Sequence, residues 1–326
     1  MKLSLYSPQQ GLPSVQDARE EPPRRMSDRN HNLKQEWHFE AGNEIVPGRH
    51  ALKKLGGGYR YEAYLVWDDT LYAIVVAKVV RPNLVDDERA LRGLRGEFEL
   101  LWRLNHPVIL RAFDAQLGGT RPHLVLEHLE GPRLSTLIRK YGWLPPEQLL
   151  PLALQLCSAI HYLSSQRVCH LDIKPANIIM SGPPRLIDLS IARSVEQAAR
   201  SGKGVGTDNY MSPEQCDPDR FGPVGPASDI WGLGVTLYQA ATGELPFTKS
   251  SQEERWPVLR EDIKPFAREV PEAIATPLLT CLEKSSPNRP TAAELHDELE
   301  PLLTHLPRPR LGKLKPGRLP SRPRRG

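Results

Sequence analysis

Val168-Cys169-His170-Leu171-Asp172-Ile173-Lys174-Pro175-Ala176-Asn177 puts a carboxylate, an amine and an amide within six residues. Eleven residues after Asn177, Arg185-Leu186-Ile187-Asp188-Leu189 supplies a second carboxylate. One carboxylate of such a set can receive the proton of an attacking hydroxyl, and the amine can neutralise a phosphate oxygen. The amide and the second carboxylate offer hard oxygens to magnesium. The set suits phosphoryl transfer. The bland alternative is a polar loop between two apolar strands, and it is weighed by what the rest of the chain supplies at matching spacing.

Upstream, Tyr72 to Val80 is a strand-sized apolar run interrupted by Lys78. An amine inside such a strand is costly to bury alone. Leu91, Leu94, Phe98 and Leu101 recur at helical spacing, and Glu97 lies beside that face. This predicts a buried Lys78–Glu97 pair, with Glu99 or neither as the alternative. Gly93 and Gly96 each weaken that helix by about 1 kcal/mol relative to alanine, which predicts a mobile helix. Before it, His50–Leu55, Gly56-Gly57-Gly58-Tyr59-Arg60-Tyr61 and Glu62–Trp67 read as strand, glycine turn, strand. The glycines let backbone N–H groups approach phosphates without a Cβ in the way, although a plain hairpin with a flexible turn explains the same residues. Asn105-His106-Pro107-Val108-Ile109-Leu110 turns into another strand, and His123–Glu127 is the fifth. Gly131-Pro132 then punctuates a boundary.

Beyond that boundary the chain reads as helical. Pro145-Pro146-Glu147 opens a helix whose core face is Leu149, Leu152, Leu156, Ile160 and Leu163. From Asp188 to Glu214 the residues are small and polar, which predicts a mobile loop. Ser228–Tyr238 is apolar all round, as a central buried helix is, and Gly243 ends it. Thr291-Ala292-Ala293-Glu294 fits a capping box for a last helix.

In their order and spacing, residues from about 49 to 303 resemble the eukaryotic-type (Hanks-type) serine/threonine protein kinases, most of all the compact bacterial ones. The resemblance implies an α+β, bilobal kinase fold: a five-stranded antiparallel sheet plus one helix in the N-lobe (49–131), and a mainly helical C-lobe (132–306). It implies ATP and Mg2+ as cofactors and Ser or Thr hydroxyls of proteins as substrates. By position, Leu55, Gly56, Gly57, Gly58, Tyr59, Arg60, Tyr61, Glu62 and Ala63 match the glycine-rich loop over ATP. Lys78, after Ala77, matches the lysine on the α- and β-phosphates, and Glu97 its helix partner. Leu126 falls at the gatekeeper, and Glu127 and Leu129 at the hinge that holds adenine. Asp172 matches the catalytic base, Lys174 the γ-phosphate contact, and Asn177 and Asp188 the magnesium ligands. Gly206–Glu214 resembles the substrate-docking end of the activation segment. Asp229 matches the acid that braces the catalytic loop, and Glu214 with Arg289 a buried ion pair.

The departures carry expectations of their own. The third loop glycine is Tyr61, so the lid closes differently. Leu171 replaces the arginine before the catalytic acid, which in relatives pairs with an activation-loop phosphate. Its absence predicts activity that does not depend on loop phosphorylation. Leu189-Ser190 replaces Phe-Gly after the metal-binding acid, which predicts fewer flipped states. Two rival readings stay open, a non-catalytic kinase fold acting as a binding module and a small-molecule kinase.

Composition frames this. The chain has 326 residues, 39% hydrophobic and 25% charged, enough for two lobes. Its four cysteines form no C-x-x-C and read as reduced, buried thiols without a zinc site. No stretch approaches the roughly 18 apolar residues of a membrane span, and the first ten residues carry no signal-peptide run, so the expected location is the cytoplasm. Residues 1–48 are polar and Pro-rich and read as disordered. Residues 307–326 read as a disordered tail whose eight Lys and Arg, with no acid, exceed the net charge of +4. Such a tail is either a solvated extension or an arm for an acidic partner.

Overall fold

Residues 35–305 are described by the computed structural model. The expected disorder of 1–34 and of the basic tail lies outside the described residues. Six antiparallel strands form one sheet: β1 (Glu44–Val46), β2 (Arg49–Gly57), β3 (Tyr61–Asp68), β4 (Ala73–Val80), β5 (Ala112–Gln116) and β6 (His123–Glu127), in the order β1-β2-β3-β4-β6-β5. Period-2 alternation gives the sheet two apolar faces. Tyr64, Val66, Val75, Ala77 and Val79 build a small core on one. Tyr61 and Val76 pack on the other, toward Leu94 and Leu101 of α1 (Glu88–Arg103). Asp87 caps α1 by accepting from Ala90 N–H.

The strand into which Asn105–Leu110 was expected to turn begins just past that stretch, at Ala112. Val108, Ile109 and Leu110 are all buried rather than alternating, and Leu110 N–H donates to Leu186 across the lobe boundary instead of entering the sheet. That strand is β5. The start of ordered structure moves from Arg49 back into the preceding segment, and β1 makes the sheet six strands rather than five. Trp37 and Phe39 stack on each other and cover the Tyr64 core. Trp37 Nε1–H donates to Val80 O at 2.8 Å, and Arg81 donates to Gln35 O at 3.0 Å and Gly58 O at 2.9 Å. Polar composition hid these two aromatics, which pack onto one face of the sheet beside Ile45 and Val46.

The second lobe holds α2 (Leu134–Tyr141), α3 (Pro146–Ser165), the short strands β7 (Val168–Cys169), β8 (Ile178–Ile179), β9 (Arg185–Leu186) and β10 (Arg193–Ser194), and then α4 (Val195–Ala199), α5 (Pro213–Cys216), α6 (Pro218–Phe221), α7 (Pro226–Thr242), α8 (Glu272–Thr280) and α9 (Ala292–Leu299). α3 begins at the Pro pair and buries all five predicted positions. α7 is the central buried helix. It ends at Gly243 in the left-handed conformation (φ 86°), and Thr291 and Glu294 cap α9 reciprocally. The segment from Asp188 to Glu214 is more structured than its composition suggests. β10 pairs with β7, and a Ser194–Gln197 capping box starts α4. No helix among the described residues is long and apolar enough to cross a membrane, and all four cysteines are buried and free.

Trp37→Ala should lower stability to urea by about 2 kcal/mol, below the 3–5 kcal/mol of a fully buried aromatic because the indole is only partly covered. A change within error would show that the segment before β1 is not part of the folded unit.

Candidate active site

The sheet face that carries Lys78 looks onto α1. Ala63 on β3 lies directly opposite Lys78 on β4. Lys78 Nζ donates to both oxygens of Glu97, at 2.9 and 2.6 Å, and to Asp188 Oδ1 at 3.0 Å. Glu97 is 2% exposed. Burial disfavours the charged amine, but the two carboxylates outweigh it and raise its pKa, so Lys78 stays an ammonium. The same charge holds Asp188 well below the usual carboxylate range, against its own desolvation. The predicted Lys78–Glu97 pair is therefore present, and it extends to the second carboxylate.

Local structure brings the loop residues to the same place. Asn177 precedes β8 and Asp188 follows β9, so the β8–β9 pairing sets them side by side, with Ile187 N–H donating to Asn177 O at 2.9 Å. Asn177 Nδ2–H donates to Asp172 O and Oδ2, at 2.9 and 3.0 Å, which leaves its Oδ1 out of those bonds. Lys174 Nζ donates to Asp172 Oδ2 at 2.6 Å and also to Thr207 Oγ1. Thr207 Oγ–H donates to Asp172 Oδ1 at 2.6 Å. Asp172, Lys174, Asn177 and Thr207 thus form one network, with Asp188 and Lys78 beside it.

Other predicted members divide. Leu55, Gly56 and Gly57 close β2 and Gly58, Tyr59 and Arg60 turn the chain into β3, all six exposed. A Cβ on Gly56 or Gly58 would meet nothing within 4 Å, whereas one on Gly57 would lie 2.7 Å from Tyr61 O. Gly56 also has φ 142°, so only glycine suits it. Leu126 is 5% exposed and faces Val76 across the strands. Glu127 ends β6, its carboxylate bonded to Arg185, and Leu129 lies just past it against the core. Two residues are corrected. Ala77 belongs to the opposite face, buried with Tyr64 and Val79, and alternation puts Val76 rather than Ala77 on the Lys78 face. Glu62 is likewise fully buried away from the loop, accepting from Arg81 at 2.7 Å and from Tyr64 Oη–H.

Sequence reasoning missed Gln215. Its buried amide donates to Leu171 O at 3.0 Å and to Val205 O at 2.8 Å, tying the loop after Asp188 to the Asp172 loop. A glutamine inside a short helix carries no signal of this. Asp229, which was expected to brace the loop, accepts from His170 N–H and Leu171 N–H, both at 2.7 Å. Arg289 binds Glu214 at 2.7 and 2.8 Å, and both side chains are buried.

The donor set fits a magnesium–nucleotide. Asp188 keeps 40% of its side chain exposed, and with Asn177 Oδ1 it offers hard oxygens. Among the described residues no three His, Cys, Asp or Glu side chains gather into a metal cage. One carboxylate and one amide suit a cation that is also held by phosphates.

A protein kinase domain model matches residues 49–299. The serine/threonine-protein kinase PknB of Mycobacterium leprae is 33% identical over 261 residues, and that of Mycobacterium tuberculosis 32% over 262. Each match covers 75% of this chain and 41% of the relative. The serine/threonine-protein kinase PkaA of Streptomyces coelicolor is 32% identical over 231 residues, covering 68% of this chain and 41% of that protein. The chain thus spans about two fifths of the length of these relatives.

Removing one partner of the buried Glu214–Arg289 pair leaves an uncompensated charge, so Arg289→Ala should cost about 3–5 kcal/mol in denaturant unfolding. The pair also sets a pH dependence. Burial works against the Glu214 charge, but Arg289 overcomes it and lowers the pKa. Its contribution is complete above the unfolded value of about 4.3 and falls away as pH drops through the lower folded value. Glu214→Gln should flatten that acid limb, and an unchanged limb would contradict the assignment.

Proposed function

The chain belongs to the protein kinase domain family, and from that premise we propose that it transfers the γ-phosphate of ATP to Ser or Thr hydroxyls of proteins. The observation that carries the reading is Lys78, bonded at once to Glu97 and Asp188. Bound ATP with Mg2+ supplies the transferable phosphoryl group and neutralises charge on its oxygens. Lys78 holds the α- and β-phosphates. Asp188 and Asn177 hold the cation through their oxygens. Asp172 orients the substrate hydroxyl and takes its proton, and Lys174 offsets charge on the transferred group. Gly56–Gly58 give backbone N–H groups close access to the phosphates, and Val76 and Leu126 line the base side of the cleft. Catalysis by these residues is positioning and charge stabilisation.

The reading includes activity without activation-loop phosphorylation. Leu171 is buried with Ala198 and Val224, against Ile191 and Val195, so the segment from β10 into α4 is docked on the catalytic loop by apolar contact. Greasy packing there serves where an arginine would need a phosphate. The proposal extends to a cytoplasmic location and to an acidic partner for residues 307–326. Weaker binding at rising salt, lost when those residues are deleted, is the check on that partner.

With Mg2+, labelled ATP and an added protein substrate, Asp172→Ala and Lys78→Met should each lower transfer by about 10²-fold or more. Wild-type turnover in either would remove the assignment. ATP binding without transfer in the unmodified chain would favour the binding-module reading. In the same assay Ser194→Ala and Ser201→Ala should each leave turnover within about fivefold, since no phosphate is needed to order the segment. A larger loss in either, in a variant whose thermal unfolding matches the unmodified chain, would show dependence on loop phosphorylation.

A further inference from the structure

Tyr61 stands where the family has a loop glycine, and its side chain does not join the loop. It turns inward beneath Lys78, whose Nζ lies 5.0 Å from the ring centroid. Tyr61 Oη–H donates to Ala90 O at 2.8 Å, in the first turn of α1. Gly93 lies one turn further on. A Cβ there would sit 2.8 Å from Tyr61 Oη, closer than real contacts allow. Ala90, Gly93 and Glu97 are spaced three and four apart, so they share one stripe of the helix. Lys78 seizes that stripe at Glu97, and Tyr61 seizes it at Ala90 and in the notch left by Gly93.

We infer that Tyr61 is a positioning residue, a strut that seats its phenol in the Gly93 notch and fixes helix α1 so that Glu97 meets Lys78. The inference rests on the kinase reading for its effect on catalysis, but the strut is a property of the fold alone. Its parts are matched. The ring has only two torsions and lies under a buried ammonium, so it holds its position at little entropic cost. Burial pushes the phenol up to about 12, which keeps it a hydrogen-bond donor. Ala90 O has a second lone pair for the helix ladder. Gly93, a liability by helix propensity, is the residue that admits the hydroxyl. Gly96 is a natural control, because a Cβ there would meet nothing within 4 Å. The glycine that helix propensity alone would count as a source of mobility thus admits a clamp.

The test is a mutant cycle on the full chain, read by steady-state phosphotransfer and by amide hydrogen exchange along α1. Gly93→Ala forces the helix or the Tyr61 hydroxyl to shift, which loosens the strut. It should lower kcat by about tenfold or more, as a misplacement near 1 Å does, with the KM for ATP changed less than about threefold, and it should speed exchange at Ala90–Glu97. Gly96→Ala, with the same gain in helix propensity, should do neither. In a Tyr61→Gly background the same Gly93→Ala change should have no further harmful effect, because the clash is gone. Equal behaviour of Gly93→Ala and Gly96→Ala, or an undiminished Gly93→Ala penalty without Tyr61, would overturn the strut. If the unmodified chain transfers no phosphate, the kinase reading fails while the exchange arm still decides the strut.

Discussion

One buried amine ties the molecule together. Lys78 leaves the sheet, meets Glu97 on α1 and reaches Asp188 beyond β9, so strand, helix and second lobe meet at a single nitrogen. Taking the Lys78 and Glu97 charges out of water is expensive, and a packed apolar pair of the same volume would often be as stable or more so. The arrangement therefore gives geometry rather than stability: a cation fixed beside a carboxylate, at the mouth of a glycine loop. Because each partner loses its compensation if the others move, α1 and the segment after β9 are coupled to the sheet.

A second set of bonds holds the catalytic loop in a conformation it would not adopt freely. Leu171 has φ 65° and Asp188 φ 67°, in the left-handed region that side chains other than glycine avoid. Such strain persists only where neighbours over-determine it. Asp229 supplies two acceptor oxygens from the buried α7, and Gln215 grips Leu171 O from the other side. Leu171 itself points into an apolar cluster with Ala198 and Val224. The central helix, the strained loop and the segment after Asp188 thus hold one another. Glu214–Arg289 closes the same structure from below.

Much of this was legible in the chain because the chemistry is dense in type and spacing. Lys78 in an apolar strand demanded a partner, and Glu97 stood at the right turn of the right helix. The Pro146 start, the Gly243 stop and the Thr291–Glu294 box were local signals with local causes, and they survive in the fold. What was hidden depended on long-range packing. Trp37 and Phe39 sit in a polar stretch and give no period, yet they cover a sheet face. Ala77 and Glu62 are one residue from the face assigned to them, and in a strand one residue reverses the side. Gly93 looks like a weak point until the Tyr61 hydroxyl is seen in its notch. Val108–Leu110 has strand composition, but its neighbours bury every side chain instead of alternate ones.

The most direct measurement of the central claim is Mg2+-dependent transfer from labelled ATP by the full chain carrying Glu97→Gln, with far-ultraviolet circular dichroism and thermal unfolding as a check on folding. Glutamine keeps the shape and removes the charge that holds Lys78. A folded variant with kcat lowered by about 10²-fold is the result this account predicts. Transfer at the wild-type rate from a folded Glu97→Gln chain would contradict it, because the amine would then be positioned by something other than the pair.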